Sequence, residues 1–350
     1  MKNILIIFVF VGFISCSNTN NFFQYPEIIK LSYIPLITDE KLVLKPLTFE
    51  VFDNIFIVWD PYEEFHFTVI DAKKNTLLFR GGRKGQGPDE FLYPVILDKV
   101  SDSILQIVDC AARKVSLLNV SDVLKTNSFK AYKTINYSDI SLKDGEFIDF
   151  LYYINDDTLV GVGYFHTSKY IFYQIDSNNI EYIFDLPEDK RHYHKREPKI
   201  TKYTAYQGVL HFNPARNTIL YHSPMSFYFE VFESVQPSEM LFTHFEPINY
   251  IIDDFGRAAI HPNNKSGIIW GDLSDSKIYL LYSGRSKTEY GADAFLSDQM
   301  FVLTHHGEKL VKYHLMRDVF SFVLDEKQQK IYAIVFNPET EQFEIGYFPI

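Results

Sequence analysis

Apolar runs of strand length alternate with polar turns along nearly the whole chain beyond residue 25, and a turn rich in Asp, Asn or Ser recurs ahead of them. Asp53-Asn54 leads into Ile55-Phe56-Ile57-Val58, Ser101-Asp102-Ser103 into Ile104-Leu105-Gln106-Ile107-Val108, and Asp156-Asp157-Thr158 into Leu159-Val160. Arg216-Asn217-Thr218, Lys265-Ser266-Gly267 and Gln328-Gln329-Lys330 open three more runs. Counted at the residue before each run, the copies start at 54, 103, 158, 218, 267 and 330, with spacings of 49, 55, 60, 49 and 63. Each is followed, after a short polar turn, by a second apolar run, at 65–70, 114–120, 170–175, 227–232, 277–282 and 343–348, so each unit reads as a β-hairpin. A third strand trails some of them, at 76–79, 180–184 and 240–245.

Many of these runs are apolar throughout and not alternating, which a strand shows when both faces of its sheet are buried. Six such units at this period predict an all-β, six-bladed β-propeller over residues 25–350. A helix bundle is excluded, because no window carries a sustained apolar stripe of helical period. The best helical stretches, 121–127 and 291–299, are short. The chain ends just after the second strand of its sixth copy, one outer strand short. Residues 28–36 are apolar enough to supply that strand, so pairing of N- and C-terminal segments within one blade closes the ring and removes an open sheet edge.

Composition agrees with this reading: 17% of residues are aromatic, with 24 Tyr and 32 Phe against 16 Gly and 15 Pro. The formal charge of −11, with a basic run only at 190–199, argues against nucleic acid as a partner.

Residues 81–91, Gly-Gly-Arg-Lys-Gly-Gln-Gly-Pro-Asp-Glu-Phe, sit where one strand-rich unit gives way to the next. Glycines and Pro88 impose a single tight bend there. The stretch resembles the Gly-rich signature, roughly G-R-x-G-x-G-P-x-E-F, of the TolB-like six-bladed β-propeller lipoproteins of Bacteroidota. In that family the matching loop joins blades. A phosphate cradle is disfavoured: the Gly-Lys-Ser/Thr ending of a P-loop is missing and no helix pattern follows. Arg83 and Lys84 are the candidate partner-binding residues, a cationic site on an acidic protein suited to a carboxylate. The bland alternative pairs Arg83 with Asp89 or Glu90 as a brace.

The first residues form a separate segment. Lys2 precedes the apolar residues 4–13, and Phe13-Ile14-Ser15-Cys16 resembles a lipoprotein signal whose Cys16 is lipidated, with Phe13 in place of the usual Leu. The apolar run is short for a bilayer span. The expected organisation is a signal peptide at 1–15, lipidated Cys16 and a flexible tether through residue 24, then the propeller. Ser17 after Cys16 favours outer-membrane attachment, and the absence of acids over 17–21 favours the periplasmic side. Cys110 is left as the second cysteine, inside an apolar run, and reads as a buried small hydrophobe.

Chemistry is sparsely marked. His192 and His194 lie among cations that oppose a metal ion, and His305-His306 precedes a turn. No HExxH, CxxC, EF-hand or Gly-x-Ser-x-Gly pattern is present. No cofactor is expected, with calcium at the acids of 291–294 or at Asp253-Asp254 as the exception weighed. No catalytic residues and no metal ligands are assigned. The expected function is therefore a non-enzymatic, monomeric envelope lipoprotein whose rim or axial pocket binds a protein, peptide or glycan. The alternative is a metal-dependent, lactonase-like hydrolase using the central pocket, on fold analogy alone.

Overall fold

In the computed structural model, residues 22–37, 42–188, 199–235, 238–254 and 257–350 are described. Four-stranded antiparallel sheets follow one another around an axis. Blade 1 comprises Thr48–Phe52, Ile55–Tyr62, Phe65–Asp71 and Thr76–Arg83. Blade 2 comprises Pro94–Ser101, Ile104–Asp109, Lys114–Asn119 and Lys133–Asn136. Blade 3 takes Phe147–Tyr153, Thr158–Tyr164, Tyr170–Gln174 and Asn179–Ile183, and blade 4 takes Val209–Asn213, Thr218–Ser223, Tyr228–Glu233 and Met240–Phe245. Blade 5 is built from Ile268–Leu273, Lys277–Tyr282, Ser297–Thr304 and the first half of the long strand Lys309–Asp325. The second half of that strand opens blade 6, followed by Lys330–Asn337, Gln342–Pro349 and Ile34–Ile37.

Ring closure follows the expected principle with a different partition. Only Ile34–Ile37 completes the last blade, antiparallel to Gln342–Pro349. Ile28–Leu31 instead runs parallel to residues 312–315 and adds a strand to the edge of blade 5. Tyr33 lies between the two short strands. Phe22, before them, is buried against Phe227, Phe229 and Phe301 at 4.7, 6.0 and 5.6 Å between ring centroids. The described part of the expected tether is thus packed on blades 4 and 5, so the N-terminal segment is a belt over three blades.

Blade 5 also corrects the register of the repeat. Residues 268–273 form its innermost strand, whereas in the other blades the run after the polar turn is the second strand. The equivalent second strand begins at Lys277. Measured at Ile55, Ile104, Thr158, Thr218, Lys277 and Lys330, the period becomes 49, 54, 60, 59 and 53 residues. The Ser-Gly-Ile-Ile pattern at 266–269 misled because the Asp275-Ser276 turn ahead of Lys277 is equally polar.

Apolar burial is divided among the six seams between neighbouring blades. Alternation along one strand feeds alternate seams: Phe56 and Val58 pack toward blade 6, Ile57 and Trp59 toward blade 2. Likewise Ile278 and Leu280 pack toward blade 4, and Tyr279 and Leu281 toward blade 6. Two buried faces per sheet explain the continuous apolar runs. The helix expected near 121–127 forms at Val120–Thr126, where the Asn119 side chain accepts from the Asp122 amide as an N-cap. The stretch expected as helical at 291–299 is a short helix, Lys287–Tyr290, with a 3-10 turn, Gly291–Phe295, and then strand. A further helix, Lys199–Ala205, had no clear sequence signal.

Candidate functional site

Antiparallel order fixes two unlike ends to the ring. Turns joining first to second and third to fourth strands lie on one face; Asp53, Asn75, Asn178, Asn217 and Gln329 take the left-handed region in tight turns there, while the third-to-fourth connection of blade 2, 120–132, is longer and carries the helix Val120–Thr126. Connections joining second to third strands and one blade to the next lie on the opposite face, where the long excursions gather: 84–93, 137–146, 283–296 and the described residues 184–188, 199–208, 246–254 and 257–267.

The Gly-rich loop is on this loop-bearing face, between blades 1 and 2. Its geometry is held by the backbone: Lys84 N–H donates to Glu64 O (2.8 Å), Gly85 N–H to Phe91 O (3.0 Å) and Phe91 N–H to Arg83 O (2.9 Å). Glu90 turns inward, and its Oε2 accepts from Gly87 N–H at 2.9 Å. Gly85 leaves room for this carboxylate, since a Cβ there would fall 2.0 Å from Glu90 Oε2 and displace it. Phe91 anchors the loop beneath, buried edge-on against Phe67 at 5.5 Å. Lys114 Nζ donates to Glu90 O at 2.6 Å, and the His66 Nε2–H bonds Phe91 O at 3.0 Å. Burial is the main reason His66 sits below the usual imidazole range. Buried Asp109 fixes the exit by accepting from the amides of Leu92 (2.6 Å), Tyr93 (3.0 Å) and Ala112 (2.9 Å).

Arg83 pairs with neither acid of its own loop. Its Nη2 meets Glu64 Oε2 at 2.7 Å, across the turn between the second and third strands of blade 1, and both side chains are more than half exposed. Lys84 Nζ donates to Glu63 O at 2.7 Å. Exposed pairs of this kind contribute about 0–1 kcal/mol, so both cations are held without being committed. Gln86 of the same loop borders a cavity of about 570 Å³, lined also by Gly87, Pro88, Leu92, Lys114, Thr134 and Asn136 and predominantly polar; Leu92 and its chain neighbour Tyr93 are exposed. Trp59 Nε1 and His66 Nδ1, on blade 1 below the loop, are buried with no hydrogen-bond partner among the described residues.

Around the axis the innermost strands carry carboxyls. Burial pushes Asp98 up to about 6 and Asp272 up to about 7, and raises Glu50 well above its ordinary value, with Asp98 and Asp272 adding repulsion. Asp149 is raised by burial and accepts from Tyr203 OH and from Gln207 Nε2 (2.8 Å). His211 and His222 face each other at 3.1 Å between Nε2 atoms, and His222 Nδ1 donates to Ile268 O at 2.8 Å. His222 Nε2 is therefore an acceptor and His211 Nε2–H the donor. Among the described residues no group of three or more His, Cys, Asp or Glu is placed to hold a metal ion.

The other sequence candidates are dispersed. Asp253 braces a turn through the Arg257 amide (2.8 Å), and Asp293 is an exposed residue of the 3-10 turn. His305 donates to Ser274 O at 3.1 Å, while His192 and His194 lie outside the described residues, as does Cys16. Cys110 is half-buried in the turn after its strand, not inside it, and burial, with Asp109 next, raises its thiol above the usual value. Sequence reading missed Glu64, Asp109 and Lys114 as the loop's partners. Strand connectivity was the usable signal: residues 63–64 and 84–93 must lie on the same face of an antiparallel blade.

Ring, seams and loop-bearing face define a β-propeller scaffold. A family model described as TolB-like 6-blade propeller-like matches residues 25–327, and the chain belongs to that family. Among solved structures it is similar to a DUF4221-family protein of Bacteroides vulgatus, at 10% identity and a TM-score of 0.56, over 92% of this chain and 96% of that one. It is also similar to a protein of Bacteroides fragilis described as exported, at 12% identity and a TM-score of 0.53, over 92% and 98%. At such identities the likeness is one of fold. No curated protein matches. Among the described residues no helix is long and apolar enough to cross a membrane.

Proposed function

We propose that this propeller is a binding module of the cell envelope whose loop-bearing face, at the Gly-rich joint, docks a protein, peptide or glycan carrying a carboxylate. The observation that carries this reading is the loop-bearing face itself: a bent loop, held by its own backbone hydrogen bonds, presents Arg83 and Lys84 next to a polar cavity lined by Gln86, Gly87 and Pro88 of the same loop. Arg83 is the bidentate partner for the carboxylate, exchanging it for exposed Glu64. Exposed Leu92 and Tyr93 add apolar contact beside the charge, as interface cores do.

The module acts as a monomer anchored through lipidated Cys16 to the outer membrane, facing the periplasm. Support comes from the resemblance of residues 1–16 to a lipoprotein signal, from the Bacteroidota-type signature at 81–91, and from the exported description of the B. fragilis relative. A photo-crosslinking residue placed at Tyr93 tests the docking surface in cells of the source organism, with Asn75 on the tight-turn face as control. A discrete adduct from Tyr93, absent at Asn75 and lost in Arg83→Glu/Lys84→Glu, is expected. Equal labelling from both faces, or an adduct indifferent to the charge reversal, overturns the assignment.

A further inference from the structure

A second concavity lies on the loop-bearing face, away from the Gly-rich joint, and its chemistry differs. Between blades 5 and 6 a cavity of about 680 Å³ is walled by Phe320, Phe336 and Phe343 from blade 6 and by Phe295 and Leu296 from the excursion at 283–296. The blade wall is preformed: Phe343 packs against Phe320 at 5.6 Å and Phe336 at 5.5 Å between centroids. Its size and almost wholly apolar lining suit an apolar ligand laid into an open hollow.

Lys287 stands at the rim, its ammonium 4.9 Å from the Phe295 centroid, with no ion-pair partner among the described residues. The same lysine borders an adjoining cavity of about 270 Å³, on the side of blade 4, lined by Met225, Ile260, His261, Asn264 and Ser266. The two cavities share a braced wall, because Thr288 N–H donates to Pro262 O at 3.2 Å and Thr288 Oγ1 to Asn263 Oδ1 at 2.5 Å. Lys287 therefore stands between an aromatic hollow and a polar hollow that carries the His261 imidazole, the Ser266 hydroxyl and an Asn264 amide already paired with Asn249, so a ligand lying across Lys287 reaches both.

That order selects a ligand with the same order. We propose that the groove binds a monomeric anionic amphiphile: one apolar chain in the phenylalanine cavity, its anionic linkage at Lys287, and a polar head beside His261, Asn264 and Ser266. Chain burial drives the binding, each methylene contributing by leaving water, and Lys287 discriminates the anion through a charge-assisted hydrogen bond. Asp293, exposed on the same cavity lining, disfavours a second negative charge on the ligand there.

Calorimetric titration of the purified chain with lauroyl lysophosphatidylglycerol, kept below its micellar concentration, tests this, with monolauroylglycerol as the uncharged probe of matching chain. One-to-one binding with a negative heat-capacity change is expected. Lys287→Gln should weaken the phospholipid about tenfold and leave the uncharged probe within about twofold. Phe295→Ser, on the excursion and outside the blades, should weaken both probes alike, and Phe336→Ser should do the same where its thermal unfolding matches wild type. Absence of saturable binding overturns the proposal. So does an equal loss of both probes in Lys287→Gln, or binding to vesicles of the lipid without binding to its monomers, which would make the face a membrane contact. None of these outcomes bears on Tyr93 crosslinking at the Gly-rich joint, so the two sites fail independently.

Discussion

The seam between blades 3 and 4 and the joint between blades 1 and 2 both carry a cation and an acid, in opposite physical regimes. At the first, Lys169 is fully buried and Glu230 is 2% exposed, with Nζ 2.6 Å from Oε2. Tyr170 OH and Tyr228 OH each donate to Glu230 at 2.6 Å, and the ammonium lies 4.0 to 4.4 Å from the rings of Tyr221, Tyr170 and Tyr228. Burial pulls Lys169 down to about 8, opposed by the attraction of Glu230. At the second, Arg83 and Glu64 stand in water. A buried pair fully satisfied by hydroxyls and aromatic faces locks two blades together, because neither charge can be released without stranding the other. The exposed pair leaves its cation available. The molecule thus fixes one side of the ring and presents the other.

Breaking the buried pair should have the largest effect. Lys169→Met leaves Glu230 uncompensated and is expected to lower stability by about 3–5 kcal/mol, read as a fall in urea midpoint at unchanged slope. Adding Glu230→Leu should recover most of the loss. A single variant as stable as wild type would show that the cage does not hold the seam.

At the joint, Gly85→Ala drives a Cβ into the Glu90 carboxylate and breaks its bond to the Gly87 amide. A cost of about 1–3 kcal/mol is expected, smaller in a Glu90→Ala background where the clash is gone. Equal costs in both backgrounds would assign the loss to backbone strain instead.

Acidity separates two further buried groups, one on blade 2 and one on blade 4. Asp98, on blade 2, is raised to about 6 by burial, so the folded chain holds its proton more tightly than the unfolded one. Its contribution is therefore destabilising, absent below about pH 3.8 and complete above about pH 6. Asp98→Asn should gain on wild type as pH rises from 4 to 7. His222, on blade 4, is lowered to about 4 by burial, so its neutral packing stabilises above pH 6.5 and is lost as pH falls toward 4. His222→Leu should flatten the acid side of the stability profile. Thermal melts across that range read both slopes, and parallel profiles for variants and wild type would refute the assignment.

The smallest stability effect should come from Arg83→Glu. The pair is exposed, so unfolding should shift by no more than about 1 kcal/mol, while any carboxylate partner is lost. A larger shift would make the loop a brace and remove the reason to place docking there.

What the sequence determined by itself was local and periodic. Polar turns ahead of apolar strands, at Asp53, Ser101 and Asp156, repeat at blade length, and strands without alternation announce sheets covered on both faces. The bend at 81–91 was legible because glycine and proline act on their own backbone. Tertiary structure alone decided which strand of blade 5 was innermost, since Ser266-Gly267 and Asp275-Ser276 are turns of equal local quality and only seam packing chooses between them. It decided too that Ile28–Leu31 joins blade 5 while Ile34–Ile37 closes blade 6, and that Arg83 faces Glu64 and not Glu90. Those outcomes depend on contacts between residues distant in the chain. Pairing over such separations is selected by the summed burial of whole blades, a quantity that no short window of sequence contains.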